Sequence, residues 1–83
     1  MRHITPEELD RLEPLLEALR GIAELQEKKR GVFYRGGRAF LHFHEDPAGL
    51  FADLRLAGPD FERHPVTRRG EQRALLRRIR RAL

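Results

Sequence analysis

The chain predicts an α+β fold: an N-terminal helix, a three-stranded antiparallel meander and a basic C-terminal helix, with the helices on one sheet face. Three observations carry this. Leu9, Leu12, Leu16 and Leu19 recur at helical spacing behind a helix start at Thr5-Pro6-Glu7-Glu8. Between Gly31 and Leu56, three runs of alternating polarity are separated by Gly36-Gly37 and Asp46-Pro47-Ala48-Gly49. Leu75, Leu76, Ile79, Ala82 and Leu83 then form a second helical stripe.

The elements follow in order. Thr5 can cap the first helix, Pro6 suits its first position, and Glu8 completes a capping box. Pro14 is unfavourable inside a helix by about 3 kcal/mol, so the helix either kinks there or restarts at Glu13-Pro14. Gly21 is a natural stop. Residues 22–30 read as a short helix or an irregular segment. Gly36-Gly37 fits a two-residue type I′ turn, because both positions need positive φ. Asp46 to Gly49 fits a four-residue loop, with Pro47 presetting φ. Residues 61–66 are compatible with a fourth strand at an edge, where Pro65 is tolerated. Thr67 is placed to cap the last helix, which runs to about Ala82.

These loops assign the faces, because strand side chains alternate. Arg35 should oppose Arg38, Phe33 oppose Phe40, His44 oppose Phe51, His42 oppose Asp53 and Phe40 oppose Arg55. One face then carries Val32, Tyr34, Ala39, Leu41, Phe43, Leu50, Ala52, Leu54 and Leu56 and is the core face. The other carries Phe33, Arg35, Arg38, Phe40, His42, His44, Phe51, Asp53 and Arg55. Burying that polar set beneath a helix would be costly, so this face is expected to stay open.

At 83 residues the chain is one small domain, 1–83, expected to bury about 60–65% of its unfolded surface. It has no cysteine, which excludes disulfides and thiolate metal sites. No apolar run approaches the roughly 18 residues of a membrane span, and Met1–Thr5 reads straight into the helix rather than as a leader; a cytoplasmic location is expected. The net charge of +4 is uneven: residues 1–27 hold three arginines and seven acids, and 15 of all 17 basic residues are arginine. Such a balance marks phosphate recognition or an arginine-rich coding bias.

Four functional readings arise. The open face, anchored by Phe33, Phe40 and Phe51 with His42, His44, Asp53 and Arg55 around them, suits a non-enzymatic binding module that forms a homodimer. The last helix, with Arg69, Arg73, Arg77, Arg80 and Arg81, suits nucleic acid, joined by Arg35 and Arg38; the bland alternative pairs these arginines with Glu7, Asp10, Glu13 and Glu17 of the first helix. The His42-X-His44 spacing with Asp53 suits a metal such as zinc, with no other cofactor implied. The His42–Asp53 pair also resembles a general-base pair. Its nucleophile is missing, since the chain has neither serine nor cysteine, and water, Tyr34 or a metal would have to serve. Binding is therefore expected over catalysis.

The run Val32-Phe33-Tyr34-Arg35-Gly36-Gly37-Arg38-Ala39-Phe40 resembles the central hairpin of the YjbR-type and TfoX N-terminal-type small bacterial domains. The resemblance spans residues 15–56. It implies an α+β sheet domain, sometimes discussed as DNA-binding, and carries over no catalytic residue. Arg38 stands where those domains have lysine, and the His-Phe-His strand is not part of their pattern.

Overall fold

A computed structural model describes residues 2–83. The elements are β1 (Arg2–His3), α1 (Pro6–Arg11), α2 (Glu13–Arg20), β2 (Gln26–Lys29), β3 (Val32–Arg35), β4 (Arg38–Asp46), β5 (Gly49–Leu54), β6 (Glu62–Pro65) and α3 (Arg69–Ala82). The α+β class is as expected, with six strands rather than three. The sheet is antiparallel and ordered β2-β3-β4-β5-β6, while β1 also pairs with β4.

Local chemistry explains the helical entry. The Thr5 hydroxyl accepts from the Glu8 N–H at 3.2 Å, and the Glu8 carboxylate accepts from the Thr5 N–H at 2.9 Å. Pro14 resolves as a restart: α1 ends at Arg11, Leu12 caps it, and α2 begins at Glu13. The leucines of both helices meet Leu75 and Ile79 of α3 over one face of the sheet, in a single core.

Residues 26–29 form a strand, not the helix or irregular segment expected for 22–30. The Arg30-Gly31 turn folds β2 back onto β3. Gly31 takes φ +81°, and a Cβ there would lie 2.8 Å from Leu9, so glycine is required twice over. Glu27 locks this turn by accepting from the Gly31 N–H at 2.9 Å and from the Arg20 guanidinium of α2. Charged side chains on β2 suit an edge strand.

The central correction concerns β3. The Gly36-Gly37 turn has positive φ at both residues and pairs Arg35 with Arg38, as expected. One step on, Tyr34 pairs with Ala39, but Phe33 pairs with Leu41 rather than Phe40. This β-bulge sets Phe40 and Leu41 together against Phe33 and reverses the faces of β3. Phe33 and Phe40, expected on the open face, are 0% and 2% exposed in the core. Val32, Tyr34 and Ala39, expected inside, sit half-buried. Arg55 closes the disrupted ladder: its N–H donates to the Phe40 carbonyl at 2.8 Å, and its guanidinium donates twice to the Ala39 carbonyl.

Between β4 and β5 the expected register stands. His42 pairs with Asp53, Phe43 with Ala52 and His44 with Phe51. The edge strand is β6, with Pro65 in it. Thr67 does not cap α3. Its hydroxyl accepts from the Leu50 N–H at 2.9 Å, and Glu71 caps instead, accepting from the Arg68 N–H. Thr67 is held beside Gly49, where a Cβ would collide with its oxygen, so it is committed to β5 before α3 begins.

Two predictions follow from this packing. Phe33→Ala should lower unfolding free energy by about 3–5 kcal/mol, as for a fully buried ring; a urea midpoint unchanged from wild type would reject the bulged register. The Arg20 contact first, and then the Gly31 N–H, hold the Glu27 carboxyl below the usual carboxylate value of 4.5. Its stabilisation is therefore full above that value and lost as pH falls through its lowered pKa. Glu27→Gln should cost about 1–2 kcal/mol at neutral pH. The wild-type advantage in a urea melt should shrink in acid.

Candidate functional site

The face opposite the helices is built by β1, β4 and β5. His42 and His44 lie two residues apart on β4 and so project to the same side. Asp53 is directly across from His42, Phe51 across from His44 on one flank and His3 across from His44 on the other. A donor atom from each of His42, His44 and Asp53 lies within 4.8 Å of the others. His44 Nδ1 is 3.3 Å from Asp53 Oδ2, while Asp53 Oδ1 accepts from Arg63 Nε at 3.3 Å. His44 is 8% exposed, and its Nε2 is buried with no hydrogen-bond partner among the described residues.

Aromatic rings frame this cluster. Phe51 stacks on His44 with centroids 6.0 Å apart, and Phe61 tilts against His42 at 5.1 Å. The Arg55 guanidinium lies 4.8 Å from the Phe61 ring centre. Burial pushes the His44 imidazole below the ordinary histidine value of 6.5, and the neighbouring Asp53 pulls the other way.

A groove of about 600 Å³ opens beside His42. It exists because β3 pairs with β4 only as far as Leu41 and β1 takes over at His44. Ile4, Leu9, Val32 and Phe43 supply apolar lining, with His3, Lys29 and Tyr34 at its border.

The structure thus brings His42, His44, Asp53 and Phe51 together as the alternation implied. Arg55 is near them through Phe61 but is occupied by the bulge carbonyl. Phe33 and Phe40 are removed to the core. Arg35 and Arg38 line a separate depression beside Gly36 and Leu56. Three contributors were missed: His3, Phe61 and Arg63. Arg63 was legible in principle, since Pro65 at an edge sets the parity of β6 once Phe51 is its partner.

The second charged surface is α3. Arg69, Arg73, Arg77 and Arg80 repeat along one side at about 100° per residue, with Arg81 beside them. Among the described residues, the acids of the first helical region do not pair with them. Arg20 takes Glu13 and Glu17, and Arg30 takes Asp10 and Glu13, at 2.6–2.9 Å. Of the arginines on α3, Arg78 is paired, with Glu62 at 2.9 Å; among the described residues the five others have no carboxylate partner. No helix among the described residues is long and apolar enough to cross a membrane.

No protein-family model, curated protein or solved structure matches this chain.

A buried Nε2 without an acceptor resists protonation. His44 should therefore titrate below 6.5 when followed by its ring proton shifts, and the fold should lose stability as pH drops from that value toward the lowered pKa. A midpoint at or above 6.5 would contradict the burial.

Proposed function

We propose that this protein is a cytoplasmic, non-enzymatic module that binds the phosphate backbone of nucleic acid through α3. One observation carries the reading: five arginines share the outer side of α3 with no carboxylate partner among the described residues, and three acids of the first helices, Asp10, Glu13 and Glu17, are engaged by Arg20 and Arg30. From Arg69 to Arg81 the helix rises about 18 Å at ~1.5 Å per residue, enough to follow several successive phosphates. Guanidinium groups donate to phosphate oxygens in a fixed fork, and each neutralised phosphate releases condensed counterions. The Arg35 and Arg38 depression is a second cationic spot within the same chain.

Self-association through the histidine-bearing face is the weaker reading. Two of the rings it relied on, Phe33 and Phe40, are spent in the core and the third, Phe51, is half-buried; among the described residues Phe61, 38% exposed, is the one exposed large apolar side chain. A stable interface needs about 800 Å² per partner, far beyond what the partly exposed rings of Phe51 and Phe61 supply.

Fluorescence anisotropy with labelled duplex and single-stranded oligonucleotides tests the proposal. Binding at low salt should weaken with a log–log slope of about −3.6 to −4.5 on duplex if four or five arginines engage. The double variant Arg73→Gln, Arg77→Gln should reduce that slope by about two while keeping the helix, since glutamine is a good helix former. Absence of binding at low salt, or an unaltered slope in the variant, discards α3 as the contact surface.

A further inference from the structure

We propose that His42, His44 and Asp53 form a site for a divalent first-row transition cation of the zinc class. The proposal is independent of the α3 surface.

Convergence is the first observation. Three groups that ligate such cations, two imidazoles and a carboxylate, are set by β4 and β5 with donor atoms within 4.8 Å of one another. Zinc bonded at about 2.0–2.2 Å needs its donors roughly 3.4 Å apart. Closing that remaining gap takes side-chain rotation, because the backbone register already places all three on one face. Imidazole and carboxylate together suit zinc and its neighbours better than calcium or magnesium, which prefer all-oxygen sets.

The second observation is independent of that geometry. His44 is more than nine-tenths buried, and its Nε2 has no partner among the described residues. A structural histidine ordinarily satisfies both ring nitrogens. Here one nitrogen is spent on Asp53 and the other is left bare, an arrangement that costs stability unless a further group is recruited. A cation would account for it if the imidazole turns: Nδ1 then gives up its contact with Asp53, and Nε2 and the freed carboxylate both become ligands.

Arg63 is the competing charge. It donates to Asp53 from an exposed position, and Arg55 lies beyond Phe61. A cation would displace Arg63 from the carboxylate, which makes Arg63 a brake on affinity rather than a part of the site. His42 borders the 600 Å³ groove, so three protein ligands would leave a coordination position facing that space.

Titration of the full chain with zinc chloride by calorimetry, alongside thermal melts, is the test. Saturable one-to-one binding with a raised melting temperature is expected, and Co²⁺ should give a visible d–d absorption. His42→Ala and Asp53→Asn should each weaken affinity about tenfold or more. Arg63→Gln should bind more tightly than wild type, a result that loss of a merely structural contact would not produce and that stands even if another variant fails to fold. His64→Ala, which removes the separate His64–Glu62 pair, should bind as wild type does. No saturable binding, undiminished affinity in both His42→Ala and Asp53→Asn, weakened affinity in Arg63→Gln, or loss of binding in His64→Ala would each overturn the assignment.

Discussion

The bulge where Phe40 and Leu41 together face Phe33 is the constraint on which the molecule depends. It decides which side chains of β3 fill the core and which meet solvent. Magnitudes make its direction clear. Moving two phenylalanines from surface to core contributes about 1.5–3 kcal/mol each, while an interrupted ladder hydrogen bond costs about 0.5–1.5 kcal/mol. Arg55 removes much of even that cost by donating to the carbonyls freed at Ala39 and Phe40. Tyr34, turned outward in exchange, is half-buried beside the groove, where Lys28 lies over its ring.

The same economy of partners divides the surface by charge. Arg20 and Arg30 gather Asp10, Glu13, Glu17 and Glu27 into a network that ties α1 and α2 to the β2–β3 hairpin. Exposed ion pairs of this kind stabilise little individually. Their larger consequence is positional, because they fix how the first two helices sit on the hairpin.

The histidine cluster is the part of the site that is legible in the sequence. A short loop at Asp46–Gly49 leaves little freedom of register, so His42 opposite Asp53 follows from counting outward. The same counting failed at Phe33, since a bulge adds a residue on one strand without any mark in loop length. Three phenylalanines on a polar face were themselves the signal that something would turn two of them inward. His3 and Phe61 joined the site from segments with no periodicity to read, and β2 was hidden because an edge strand of charged residues has no alternating apolar pattern.

What the chain determined alone is local: the Thr5–Glu8 cap, the restart at Pro14, the Gly36-Gly37 turn, the β4–β5 pairing and the leucine stripes that call for a single core. Each rests on forces acting within a few residues, where spacing and φ preferences suffice. Tertiary structure decided the rest. It inverted β3, bound Thr67 to β5, assigned the acids to Arg20 and Arg30 and left His44 with a bare nitrogen. Those outcomes turn on competition between distant groups for one core and one set of partners, and spacing along the chain does not record who wins.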